Sequence, residues 1–428
     1  MPLFREQIGA GVTLHIIPTD KFKTNYLSVN FIMPLAAKTA SAYALIPPVL
    51  GRGAEKYQTM RALNLALSDL YAANISVNVS KKGEYQIISF TATFLDDTFV
   101  PDGTDVTGGT LGILEQLLLH PKLCGGAFDP EYVAGEKKNL CDTIRARINN
   151  KSTYAIQRGN QEMCRDEAYA VDEYGTVEQV EKLTPDALYT HYRYLLSHAP
   201  VQVYYVGRHD RERVKSAVSA MLADLPRAEL VTAQTKVRRR ASGQIHSVTE
   251  KMPVNQGKLT VCFRTGKVLG DGDYYKFVLF NEIFGASPFS KLFMNVREKQ
   301  SLCYYCSSVG EPLKGIMSVA SGVETSKKDA ALTEILHQLD AMRAGDVSDE
   351  EMENAKRSVC NAYREIGDSA QRMEHWYLLR GLCGIDTDPA EASRQIMQVT
   401  REDVVAVAQG ITLDTVYFLK GEEAQADA

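Results

Sequence analysis

Asp129–Asn149 reads DPEYVAGEKKNLCDTIRARIN, and Ser348–Gly367 reads SDEEMENAKRSVCNAYREIG. Both stretches open with a residue able to cap a helix and continue with acids, which suit the positive end of a helix dipole. Both then run helically, and Lys137, Leu140 and Cys141 fall on Lys356, Val359 and Cys360 at one constant offset. The agreement continues outward. EKLTPDALYTHY around Thr184 matches MQVTREDVVAVA around Thr400, a cap followed by a helix in each case. VYYVGR from Val203 matches VYFLKG from Val416, a closing strand in each half. The starts correspond too: Leu27, Val29, Phe31 and Met33 alternate as a strand, as do Leu259, Val261 and Phe263. The chain is a duplication.

Each half reads as strand, helix, two strands, helix, long helices and a final strand. In the first half Met60, Leu63, Leu67 and Leu70 recur at helical spacing. Two strands follow, with Ile75, Val77 and Val79, then Ile88, Phe90, Ala92 and Phe94. In the second half the helix runs from about Tyr274 to Phe284, and the strands carry Leu302, Tyr304 and Cys306, then Met317 and Val319. Strands grouped in runs between helices predict an α+β fold, a tandem duplication of two similar domains, each a largely antiparallel sheet packed with helices. The expected division is 1–226 and 244–428, with the hinge between Pro226 and Gly243 as linker 227–243.

The 428 residues suit two domains, and 45% hydrophobic with 24% charged residues is an ordinary globular composition. A net charge of −5 argues against a nucleic-acid binder, whose affinity rests on clustered cations. The basic cluster Lys236, Arg238, Arg239 and Arg240 lacks interleaved aromatics and reads as a solvated linker. The N-terminal MPLFREQIGAGV has no apolar run of signal type, and no segment approaches the length of a membrane span. The eight cysteines are scattered and several fall inside apolar periodic segments, which predicts reduced, buried thiols in a cytoplasmic protein. Cys303 and Cys306 form the only close pair. A strand would set them on opposite faces, so core packing is the expectation.

A duplicated α+β chain carrying VLGRGAEKY (Val49–Tyr57) and NVREKQSLCYYCSS (Asn295–Ser308) resembles the pitrilysin/insulinase family of peptidases. Active members carry an inverted zinc motif, H-x-x-E-H, with a further glutamate downstream. Two imidazoles and a carboxylate hold the metal, and the motif's own glutamate takes a proton from the bound water. Counting back from Gly53-Ala54, the resemblance puts the motif on Ala44-Leu45-Ile46-Pro47-Pro48. The first histidine position is then Ala44, the base Pro47 and the second histidine Pro48. Glu136 fits a preceding family glutamate, which leaves Thr143 at the downstream ligand, with Asp142 rotated about 100° away on a helix. A slip of one residue changes nothing, because no histidine lies between His15 and His120. Two successive prolines also speak against a regular helix there. The expectation is no metal, no cofactor and no catalytic residue.

No other catalytic signature stands out. None of the eight histidines pairs with another at a spacing of three or four, although a fold can gather distant ligands. His191 and His198 read as surface or satisfied core residues, and Trp376 with its tyrosine neighbours as core. In the family's second half an arginine and a tyrosine seven apart bind substrate backbone near the scissile bond. Arg297 and Tyr304 match that spacing and supply suitable donors. The residues alone favour an Arg297 pairing with a nearby acid such as Glu298 or Glu282 and a Tyr304 packed in a strand. The small bacterial members work in pairs, one subunit with the zinc motif and one with the Arg/Tyr pair. The resemblance therefore implies a heterodimer with a zinc-bearing paralogous subunit, acting on peptides, with a homodimer of the isolated chain left open. Two alternatives remain: a pure scaffold or assembly protein, and a peptidase with an atypical metal site.

Overall fold

Alternating apolar residues build two main sheets in the computed structural model, which describes residues 3–421. The first sheet takes β1 (Phe4–Gly9), β2 (Val12–Pro18), β3 (Thr24–Pro34), β4 (Asn74–Lys82) and β5 (Tyr85–Leu95). After a small hairpin of β6 (Leu123–Cys124) and β7 (Ala127–Phe128), β8 (Val201–Gly207) completes it in the order β1-β2-β8-β3-β5-β4. The second sheet holds β9 (His246–Met252), β10 (Gly257–Arg264), β11 (Cys303–Glu311), β12 (Ile316–Val323) and β13 (Thr412–Gly421). Its order, β9-β13-β10-β12-β11, repeats β2-β8-β3-β5-β4 of the first. Each contains one parallel pair, β2 with β8 and β9 with β13, and is otherwise antiparallel. The expected α+β duplication is what these strands form.

The chain divides into two compact units that are not contiguous in sequence. The first comprises the chain through Arg145, Val171–Gln234 and Ile366–Leu382; the second comprises Ala146–Ala170, Thr235–Glu365 and the chain from Cys383. Thus helix Lys151–Met163 packs on the second sheet. Tyr154 donates to Glu250 at 2.8 Å, Ser318 donates to Asn160 at 2.7 Å, and a Cβ on Gly159 would lie 2.9 Å from Thr260 Cγ2. Helix Ala370–Gly381 in turn packs on the first sheet, where Tyr204 donates to the Tyr377 carbonyl at 3.2 Å.

β3 is buried on both faces. Leu27, Val29, Phe31 and Met33 enter the apolar core, while Ser28 and Asn30 turn to the other face. There Ser28 and Asn30 donate to the Glu374 carboxylate at 3.0 and 3.2 Å, and Ser89 donates to Asn30 at 2.6 Å. A buried polar face is tolerated because its groups are hydrogen-bonded.

Two expectations need correction. Ala40–Leu50 is a helix despite Pro47 and Pro48. A mid-helix proline costs about 3 kcal/mol through a lost N–H and a ring clash. Here both prolines stand in the last turns, and nearly every residue of the segment is buried, so packing outweighs the backbone loss. The basic stretch is not simply solvated either: Arg239 donates to the Gly266 carbonyl at 2.6 Å and to Asp271 at 2.9 Å. Trp376 is core, as expected. Among the described residues no helix is long and apolar enough to cross a membrane.

Candidate functional site

Ala44, Pro47 and Pro48 share one side of helix Ala40–Leu50 and line a concavity of about 190 Å³. Helix Pro130–Ala146 supplies Glu136, Asn139, Leu140 and Thr143, spaced i, i+3, i+4, i+7 on one helical face. Val77, Asn78 and Val79 of β4 close a third side, and Tyr174 contributes from a loop. The three positions counted from Gly53-Ala54 and Thr143, counted from Glu136, therefore meet at one place in the first unit. Because β4 is the last strand of its sheet, the concavity adjoins an open strand edge.

The lining is chemically quiet. Pro47 and Pro48 deprive the carbonyls of Tyr43 and Ala44 of their intrahelical donors. The Thr143 hydroxyl donates to the Asn139 carbonyl at 2.8 Å and so is engaged with its own helix. Glu136 is the one carboxylate in the lining. It is buried, bound by the Arg52 guanidinium and by Asn139 at 3.2 Å. Asp142 lies outside, exposed beside Arg145 at 3.7 Å.

In the second unit Arg297 lies in the last turn of the wide helical segment Leu292–Lys299. Backbone N–H groups of Gln300, Ser301 and Leu302 close on the carbonyls of Asn295, Arg297 and Val296, and Ser301 takes φ 50° to turn the chain into β11. The guanidinium lies 4.6 Å from the Phe293 ring centroid and 3.4 Å from Glu298, with its side chain 40% exposed. Of the two acids anticipated, Glu298 is the one in contact. Tyr304 is not packed in the strand: it is 63% exposed. The pairing of β11 with β12 shows why. Cys303 stands opposite Val323 and Tyr305 opposite Gly322, so Tyr304 is the extra residue of a bulge.

That bulge corrects the reading of the cysteines. One inserted residue reverses the alternation, so Cys303 and Cys306 come to the same side of the strand. Likewise Tyr304 and Cys306 do not share a face.

The sequence of a probable inactive metalloprotease, YmfF, from Bacillus subtilis strain 168 is 34% identical to this chain over 417 residues, covering 96% of each. The chain belongs to the pitrilysin/insulinase (M16) peptidase family. The family model described as the peptidase M16 inactive domain matches residues 182–359. A conserved protein from Enterococcus faecalis V583 has the same fold, with a TM-score of 0.91 at 28% identity over 98% of this chain and 99% of that one. A peptidase M16 inactive domain from Pseudomonas fluorescens reaches 0.81 at 15% identity, covering 99% and 100%.

For an M16 chain the question is whether the concavity fits zinc. It does not. A protein zinc site draws on imidazole, thiolate or carboxylate donors, and here the single carboxylate is already neutralised by Arg52. Among the described residues no three His, Cys, Asp or Glu side chains come together elsewhere in a metal-binding group. Composition and motif reading could identify Glu136 but not the Arg52 that holds it, nor the buried Glu374, because both depend on which elements pack together. The local signals of an altered site were the doublet Pro47-Pro48 and the absence of a histidine between His15 and His120.

Proposed function

We propose that this M16 chain is a non-catalytic subunit that binds extended peptide and completes the cleft of a zinc-bearing paralogue. Ala44, Pro47, Pro48 and Thr143 occupy the former motif and ligand positions, within duplicated domains 1–226 and 244–428 joined by 227–243. The observation that carries the reading is the convergence of these four side chains on one concavity that offers no metal ligand yet adjoins the open edge of β4. An edge strand can add an extended peptide through main-chain hydrogen bonds, with neighbouring pockets taking alternate side chains.

Arg297 and Tyr304 supply the second part. Both side chains reach solvent, one a guanidinium and one a phenol, and both donate to a peptide carbonyl or its developing oxyanion. The exposure of Tyr304 favours contact with a partner or peptide over a packing role. Eight free thiols suit a reducing, cytoplasmic setting.

The test is to purify the chain alone and with a zinc-bearing paralogue from the same genome. Size-exclusion chromatography should show a heterodimer, with zinc and peptidase activity confined to the complex. In an intact complex Arg297→Ala should lower peptidase rate on the order of 100-fold at unchanged zinc content, as loss of an oxyanion donor does. A loss below about 3-fold, judged against that same expectation, points to the scaffold role. A zinc-loaded chain that is active alone, or one that pairs only with itself, overturns the proposal.

A further inference from the structure

Residues three apart in a regular strand lie on opposite faces and about 10 Å apart. That exceeds the roughly 7 Å Cα separation that a disulfide can bridge. The bulge at Tyr304 removes this obstacle for Cys303 and Cys306. Cys303 and Cys306 stand opposite Val323 and Ser321, so their side chains share one side of β11 and are two strand steps, about 7 Å, apart, at the open edge of the second sheet. The members of the pair differ in access: Cys306 is buried, whereas Cys303 is partly exposed. Their surroundings differ in the same sense. The neighbouring Cys306 holds the Cys303 thiol down to about 7, helped by Ser321 and Arg297 and opposed by burial. The proximity of Cys303 and burial push Cys306 well above the ordinary thiol range. Cys164 and Cys262, buried in a core cluster, are pushed up to about 12 by burial.

We propose that Cys303 and Cys306 form a reversible dithiol–disulfide site, in which Cys303 reacts with low-molecular-weight disulfides and Cys306 resolves the adduct. An accessible thiolate with a neighbouring thiol is the arrangement that thiol–disulfide exchange requires. The Cys303 thiolate attacks one sulfur of the small disulfide, forming a mixed disulfide and expelling one thiolate. Cys306 then loses its proton and attacks the Cys303 sulfur, forming the internal bond and expelling the second thiolate. Two protein thiols are oxidised and one small disulfide is reduced to two thiols, which take up the two protons. Reversible disulfides of this kind are the type found in reducing compartments. Tyr304 lies within the ring so closed, and the site stands whether or not Tyr304 contacts peptide.

The full chain, reduced and desalted, should be exposed to excess oxidised glutathione near neutral pH, acid-quenched, alkylated and mapped by peptide mass spectrometry. The expected product is a Cys303–Cys306 disulfide, reversed by dithiothreitol, with Cys141, Cys164 and Cys262 still reduced. In Cys306→Ser the glutathione adduct should accumulate on Cys303, whereas Cys303→Ser should leave Cys306 unmodified. At pH 7, iodoacetamide should modify wild-type Cys303 about 5-fold faster than free cysteine, as a thiol half-ionised at that pH does. A wild-type chain whose Cys303 and Cys306 both remain free thiols under excess oxidised glutathione overturns the proposal, and that measurement requires no variant to fold. Glutathione on Cys306 in Cys303→Ser as fast as on Cys303 in Cys306→Ser overturns the assignment of roles.

Discussion

Glu374 shows how far a single buried group can shape the behaviour of this protein. The residue is 7% exposed, and its carboxyl accepts from Ser28 and Asn30 and is raised to about 7 by burial, with those two hydrogen bonds and the charge of Lys82 opposing. The folded state therefore holds a proton that the unfolded chain releases near the ordinary carboxyl value. Its contribution to stability is full below about pH 4.5 and is lost as pH rises to about 7, at about 1.4 kcal/mol per unit. Glu374→Gln keeps an acceptor for Ser28 and Asn30 without the charge. Thermal unfolding should show the variant close to wild type at pH 5 and more stable at pH 8, by on the order of 3 kcal/mol. Equal destabilisation of the variant at both pH values would show that Glu374 is not the group that titrates. Arg264 is the opposite solution to burial: fully buried, it is charge-paired with Glu167 at 2.7 Å and Asp414 at 3.0 Å.

At the scale of elements, helix Ala40–Leu50 sets backbone chemistry against packing. Pro48 sits at the surface of the concavity and is less buried than Pro47. Replacing it with alanine returns an N–H to the Ala44 carbonyl and removes the ring clash, worth about 3 kcal/mol. Loss of the proline restriction on the unfolded chain takes back up to about 1 kcal/mol. Pro48→Ala should therefore stabilise the protein by about 2 kcal/mol on these terms, read as a higher melting temperature with the secondary structure unchanged. A lower melting temperature would mean that the pyrrolidine ring packs better than the restored hydrogen bond compensates. The bulge in β11 belongs to the same scale, since one extra residue both exposes Tyr304 and brings two thiols to one face.

For the molecule as a whole, compact units and sequence halves do not coincide. Residues 1–226 lack helix Ala370–Gly381, whose Glu374 and Tyr377 bind the first sheet. That fragment also carries helix Lys151–Met163 away from the second sheet, against which Gly159 fits closely. Expressed alone, 1–226 should show no cooperative thermal transition and rapid proteolysis, and co-expression with 244–428 should restore both properties. A fragment that melts cooperatively at the temperature of the full chain would show that the exchanged helices are dispensable.

The duplication, the α+β class and the loss of zinc-ligand chemistry were all legible in the residues. Repeated caps and periodicities are local, and the missing histidine between His15 and His120 is a matter of the residues themselves. Tertiary structure alone decided that two prolines would sit in a helix, that Arg52 would neutralise Glu136, and that helices Lys151–Met163 and Ala370–Gly381 would each pack on the sheet of the other half. It also decided the face on which Cys303 lies. The physical reason is common to these cases: each depends on contacts between segments distant in sequence, whose burial and hydrogen bonding outweigh the preferences of the local backbone.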